Sequence, residues 1–466
     1  MVVHADLAGH LATGIFAKVP NFSKLPNWLP KIAAWPREKF WLFDTGMRFP
    51  RSLVPVVACA LLSPQLFAGN WPAWRGPTGD GTTPETDLPL HWSATDHVKW
   101  KIALPERGNS TPIVWGDRVF LTQATGQRRT LMCLDRKDGK LRWQDGPTLA
   151  EKERTHNLNP PCSASPVTDG ERVIAWFGSA GVWCWGLNGK ELWHADLGKQ
   201  DHEWGYGSSP ILDGDLCIVN FGPGERSFLV ALDKRTGKEV WRTDVPPPAV
   251  MEGPGAQQHY SGSWSTPIVI QTGDHAELIA ALPGALCGFD PKSGRELWRC
   301  DGLNPVVYAD PLVVDGIAVG MGGYGGIAIG AKLGGTGDIT SSGRLWQEKR
   351  NAQRIGSGVV KDGLIYMVNE PGVIQCLEPK TGKVLWQERA QAPGGRASSW
   401  SSLVLSGDRL YLVTQASDTV VLKTGPKFEQ LAVNSLGDGL SNSSLAVSDG
   451  ELFIRTHKSL WCISEK

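Results

Sequence analysis

The feature that most constrains this chain is a cadence of an acidic or amide residue, then Gly-Lys or Gly-Arg, then Trp. It runs from Asp135 through Gly139-Lys140 to Trp143, from Asp233 through Thr236-Gly237-Lys238 to Trp241, and from Asp290 through Ser293-Gly294-Arg295 to Trp298. Glu378 to Trp386 repeats it around Thr381-Gly382-Lys383, and Asn188-Gly189-Lys190 to Trp193 is a shortened copy. Successive units lie 40 to 57 residues apart, the range of propeller blades and of longer helical repeats. Pro in nearly every unit, frequent Gly and β-branched runs oppose helices and select strands.

A second periodicity supports the first. Gly-Asp or Asp-Gly pairs separate β-rich runs at Gly116-Asp117, Asp169-Gly170, Asp213-Gly214, Gly273-Asp274, Asp315-Gly316, Asp362-Gly363, Gly407-Asp408 and Asp449-Gly450. Such pairs supply the positive φ of a tight hairpin. One unit then reads as four strands. An inner strand enters after a small-residue cluster such as Gly207-Ser208-Ser209-Pro210, and an outer strand carries the Trp. The predicted outer-strand positions are Trp100, Trp143, Trp193, Trp241, Trp298, Trp346, Trp386 and a degenerate one near 428–433. Eight hairpins and eight outer strands agree. Trp100 has no three strands before it, and residues 443–463 supply three strands with no fourth. Joining the two closes an all-β, eight-bladed propeller of four antiparallel strands per blade over residues 98–466, which removes the open sheet edges. The fifth unit departs from the pattern, being Gly-rich over 322–337 and lacking the Asp–Thr-Gly turn.

Balanced charge, 47 basic against 47 acidic side chains, offers no field for nucleic acid. Met47 to Arg51 is a short basic stretch, Leu53 to Leu62 is apolar and Phe67-Ala68-Gly69 is a small-residue exit. Residues 47–68 therefore read as a secretory signal, with 1–46 as an extension ahead of the true start and 69–97 as an N-terminal extended segment. Val56 to Cys59 also has the form of a lipidation box. The expected location is extracytoplasmic, periplasmic or secreted, with cell-envelope association in view, and the chain is expected to be a monomer. Cys133, Cys376 and Cys462 recur at one repeat position, which reads as core filling.

The repeats from Trp100 to Cys462 resemble the pyrroloquinoline quinone (PQQ) type propeller repeat, shared by quinoprotein alcohol dehydrogenases and the outer-membrane assembly lipoprotein BamB. Asp233 to Trp241 and Glu378 to Trp386 match its signature, and Trp71-Pro72-Ala73-Trp74-Arg75-Gly76-Pro77 resembles the start of secreted planctomycete-type members. The resemblance implies the fold, and it leaves two functions open. One is a scaffold for a protein or small-ligand partner, with no catalytic residues; the other is a PQQ-dependent oxidoreductase acting on an alcohol or sugar. The catalytic members carry a vicinal disulfide and calcium-holding acidic and Asn residues. This chain has no Cys-Cys pair, and those blocks find no match in it.

In a propeller, the segments entering the inner strands converge around the axis on one face. Here they offer His156, His202, Glu203, Trp204, Tyr206, His259, Tyr260, Asp310, Arg354 and Trp400 as lining for one channel mouth. His202 and His259 are expected to hydrogen-bond a ligand, Trp204 and Trp400 to stack on it, and Arg354 to meet an anionic group. His156, His202 and His259 with Glu203 would hold a metal only if they converge to ~2 Å bonds; no metal is assigned.

Overall fold

The computed structural model describes residues 69–247, 261–393 and 397–465. Residues 47–68, expected to be a secretory signal, the expected extension 1–46, and the pair His259 and Tyr260 lie outside the described residues. The rest folds as eight blades of four antiparallel strands, arranged in order from axis to rim. The first blade shows the pattern with Ile113–Trp115, Arg118–Thr125, Arg128–Asp135 and Leu141–Asp145. The last is completed from both ends of the chain: Val98–Ala103 pairs antiparallel with Ser459–Ile463, placing Trp100 opposite Cys462. The degenerate outer strand of the seventh blade is Gln430–Ser435, about two residues later than the sequence suggests, because no Trp marks its register.

The repeated cadence builds the outer belt. Asp233 accepts backbone hydrogen bonds from Arg235 and Thr236, and Gly237 closes the turn at φ 73°. Against that turn lies Trp193 from the preceding blade, its indole N–H donating to Lys234 O at 3.0 Å. Trp100, Trp143, Trp241, Trp346 and Trp386 likewise donate to carbonyls of the following blade, on Arg136, Leu187, Pro291, Pro379 and Gly425. A Cβ at Gly237 would sit 2.4 Å from the Trp193 ring, and one at Gly294 2.4 Å from Trp241. Gly is required there for contact as well as for its φ. Trp298 is the exception. The fifth blade lacks the turn, and the Trp298 indole instead bonds Glu277 of its own blade at 2.7 Å. Gly337–Asp338 fills the vacated edge by pairing in parallel with the strand that carries Trp298.

Between the blades lies the core. Ile174 and Cys184 of the second blade pack with Cys217, Val219 and Val230 of the third. Cys133, Cys184, Cys376 and Cys462 each stand directly across the ladder from a belt Trp. All are buried free thiols, and burial pushes those of Cys133 and Cys184 up to about 12. They pack as small apolar residues.

At the axis the blades are tied by a closed circle of hydrogen bonds. Thr111 N–H donates to Ser165 Oγ, Ser165 N–H to Ser209 Oγ, Ser209 N–H to Thr266 Oγ1, and Thr266 N–H to an Asp310 carboxylate oxygen. The circle continues from Asp310 to Ser357, Ser357 to Ser402, Ser402 to Ser444 and Ser444 back to Thr111. One member from each blade takes part, at distances of 2.7 to 3.2 Å. Each satisfies a buried backbone N–H that no sheet partner can reach.

The segment ahead of the first strand crosses the hairpin face of the ring. Trp71 and Val114 exchange backbone hydrogen bonds, Thr168 N–H donates to Pro72 O, and Thr82–Thr83 pairs in parallel with Val404–Ser406. From this strap Arg75 reaches into the axis, donating to Leu403 O at 2.7 Å and to Gly358 O.

Candidate functional site

On the face where the inner strands begin, a cavity of about 430 Å³ opens on the axis, within the usual range for small-molecule sites. Its position follows from the circle of hydrogen bonds. A residue two places before each member lies on the same side of an extended chain, and every blade supplies a lining residue at that place. Blades eight, one, two and three contribute Asn442, Asn109, Ser163 and Gly207. Blades four to seven contribute Trp264, Tyr308, Ile355 and Trp400. One half of the rim is small or polar, and the other is bulky and mostly aromatic. Trp74 of the N-terminal strap also lines the cavity, next in the chain to the axial Arg75.

Part of the aromatic half is a connected run of rings. Trp204 lies 5.8 Å from Trp264 at 31°, and Trp264 lies 5.2 Å from Tyr308 at 59°. The Trp264 indole donates to Gly205 O at 2.9 Å, which holds it against the Trp204 loop. Tyr324 extends this wall to the solvent.

Across the mouth, residues 156–159 form a tight arch, with Asn159 N–H donating to His156 O. Its Leu158 carbonyl accepts from both Asn109 at 2.8 Å and Asn442 at 3.0 Å, so blades one and eight hold it. Asn159 in turn donates to Trp204 O and Tyr206 O. The His156 ring stacks on Trp400, 6.2 Å away at 23°. Its Nδ1 accepts from Leu158 N–H, so the neutral ring carries its proton on Nε2.

The structure brings together three of the sequence-selected residues, His156, Trp204 and Trp400, in this lining. His202 and Glu203 line a neighbouring depression with Arg154, Lys199 and Glu225, and the His202 ring backs the aromatic wall, edge-on to Trp264 at 5.0 Å. Three others face inward. Tyr206 is buried with its ring 4.8 Å from Trp176, because Gly205, at φ 68°, turns the chain between it and Trp204. Arg354 is fully buried and donates to Glu348 Oε2 and Gln375 Oε1, both at 3.0 Å, so it is a structural cation and presents nothing to an anionic ligand. Asp310 is the acidic member of the axial circle; burial pushes its carboxyl up to about 7 against the pull of Arg75. Among the described residues no group of three His, Cys, Asp or Glu side chains is placed to hold a metal ion.

Trp264, Tyr324 and Trp74 also line the site, as do Asn109, Ser163, Ile355 and Asn442, and the sequence alone assigns none of these to the mouth. Trp264-Ser265-Thr266 parallels Trp400-Ser401-Ser402, a local signal that would have found Trp264. Trp74 reaches the site only through strap contacts, which leave no local trace.

A family model described as outer membrane protein assembly factor BamB matches residues 89–224, 186–305 and 288–465. Over 291 residues the chain is 22% identical to the outer membrane protein assembly factor BamB of Yersinia pestis, covering 57% of this chain and 66% of that protein. Over 168 residues it is 31% identical to a quinohemoprotein alcohol dehydrogenase of Pseudomonas putida, covering 33% of this chain and 21% of the enzyme. The match thus spans less than two thirds of either relative's length. Among solved structures, the quinohemoprotein alcohol dehydrogenase of Comamonas testosteroni superposes with a TM-score of 0.60 at 11% identity, over 85% of this chain and 80% of that one, a likeness of fold. With the family model running through all eight blades and the Trp-to-turn contacts its repeats predict in place, the chain belongs to the BamB-like family of PQQ-repeat β-propellers.

Proposed function

We propose that this protein is an extracytoplasmic binding propeller without redox chemistry, which takes an uncharged polar ligand at its aromatic mouth. The carrying observation is the lining itself. Among the described residues it contains no Asp, Glu, Lys or Arg. Pyrroloquinoline quinone is a flat tricarboxylate and calls for cationic partners; its calcium calls for carboxylate oxygens. The nearby charged side chains are committed elsewhere. Arg75 is taken up by Leu403 O, Gly358 O and Asp80 O, and Asp310 by Thr266 N–H. The residues present therefore do not fit that cofactor, and no step through it is derived.

The extracytoplasmic location that goes with the family is consistent with a capture role, and the match to an outer-membrane assembly factor is consistent with a protein partner as well. The oxidoreductase reading, favoured by the partial likeness to a quinohemoprotein enzyme, predicts a different result in one experiment. The protein is incubated with the quinone and calcium, desalted and assayed with a redox dye and a panel of alcohols and sugars. The binding reading expects no stoichiometric quinone absorbance and no dye reduction. Retained quinone with substrate-dependent dye reduction would defeat it.

A further inference from the structure

The geometry points to a neutral saccharide as the ligand of the channel mouth, an inference that rests on the binding function proposed above. The argument begins with the division of the rim. A pyranose ring is amphipathic in the same sense as this cavity: its C–H face is apolar and carries slight positive charge, while its edge is a belt of hydroxyls. The C–H face suits the negative face of an indole or phenol ring, and the hydroxyl edge suits side chains able to both donate and accept. Trp400, Tyr308 and Tyr324, with the exposed edge of the mostly buried Trp264, supply the first surface, and His156 and Asn159 of the arch supply the second.

The tilt of the walls separates a puckered ring from a flat one. A planar base or quinone asks for two parallel faces with a gap between them. Here Trp204 and Trp264 are inclined at 31°, and Trp264 and Tyr308 at 59°, so these walls offer no pair of parallel faces. The nearly parallel pair, His156 and Trp400, is already in contact with itself and leaves no slot.

Polar atoms are present at the lining for hydroxyls to meet. His156 keeps Nε2–H as a donor because its Nδ1 is occupied. Asn159 uses its amide N–H groups on Trp204 O and Tyr206 O, which leaves its side-chain carbonyl as an acceptor. The Tyr308 and Tyr324 hydroxyls add groups of both kinds. With no charged side chain among the described lining residues, a uronic acid would lose the hydration of its carboxylate and gain no partner. Selectivity for neutral over acidic sugars follows.

The test titrates the intact protein with neutral glucan and N-acetylglucosamine oligomers, and with an oligogalacturonate of equal length, while following tryptophan fluorescence. A neutral glycan array identifies the stereochemistry to use. A saturable emission change is expected with a neutral oligomer, and binding of the uronate weaker by about tenfold or more. Trp400→Ala should weaken the neutral oligomer about tenfold. Tyr324 is 48% exposed, so Tyr324→Ala leaves packing intact and should cost about threefold, which keeps the test valid if the Trp variant misfolds. Silence across the neutral array overturns the inference, as does a uronate that binds equally well, or affinity unchanged in both variants. If an uncharged nucleoside or an N-acetylated, C-amidated aromatic dipeptide saturates the cavity while sugars do not, the saccharide assignment fails and the binding function stands. Quinone-dependent dye reduction would remove the binding function itself.

Discussion

The outer belt and the channel mouth are built from the same repeat and treat it in opposite ways. In the belt, a Trp from one blade meets a turn carbonyl on the next at six junctions, with nearly the same partner geometry each time. At the mouth, the equivalent positions of eight blades carry Asn, Ser, Gly, Trp, Tyr, Ile, Trp and Asn. A position whose task is to join neighbouring blades must suit every junction, so it is repeated. A position facing the axis meets different neighbours in each blade, Leu158 O for Asn109 and Asn442 but Gly205 O for Trp264, and so is free to vary with what enters the channel. Stability should therefore reside in the repeated positions and recognition in the unlike ones.

The axial circle lies between the two regions, and its one departure should give the largest effect. Seven of its members are Ser or Thr, and the fifth blade supplies Asp310. Burial raises that carboxyl from 3.8 to about 7. Between those values the folded chain holds a proton that the unfolded chain has released. Stability should thus fall as pH rises from about 4 to about 7, by roughly 1.4 kcal/mol per unit at most, and level off above. Asp310→Asn keeps an acceptor for Thr266 N–H and cannot ionise, so its stability should be flatter with pH. Chemical denaturation of both proteins across this range measures the difference. Parallel curves would show that the circle tolerates an acid as it does a hydroxyl.

Next in size come the belt positions. Trp241 is buried and joins the third and fourth blades through Pro291 O. Trp241→Ala should cost about 3 kcal/mol in equilibrium unfolding, from lost packing and an emptied junction. Gly237→Ala should cost about 2 kcal/mol, since the Cβ would meet the Trp193 ring at a φ that side chains avoid. A loss below about 0.5 kcal/mol in both would place stability elsewhere than the belt.

The same contrast explains how far the sequence could be read. Turn and belt residues interact within a short span or with the next copy of themselves, so their pattern is visible in one dimension. That was enough for blade number, the shared last blade and the odd fifth blade. The mouth depends on register. Ile355 lines the cavity and Arg354, one residue earlier, points the other way into an ion pair with the half-buried Glu348. Trp204 and Tyr206 share a parity in the sequence, yet the turn at Gly205 puts one in the cavity and the other in the core. A residue list with the right composition could not resolve either. Counting back two places from the axial hydroxyl would have found Trp264 and excluded Arg354, but that hydroxyl's role becomes evident only once the circle is closed.

The smallest expected effect on stability is the most informative for the comparison. Trp400 and Trp241 are the same residue type on one scaffold, and each contacts an aromatic or a turn from another blade. Trp241 spends its indole N–H on a carbonyl, whereas the Trp400 indole nitrogen has no hydrogen-bond partner among the described residues. Trp241 is closed in by the third and fourth blades, whereas Trp400 stacks on the His156 arch at the edge of a cavity. Trp400→Ala gives up one aromatic contact and no hydrogen bond, which should cost about 1 kcal/mol or less. The melting temperature should move little and any ligand affinity should move greatly. If the Trp400 variant proves as unstable as the Trp241 variant, the arch and the aromatic wall are part of what holds the ring together, and the separation of belt from mouth does not hold.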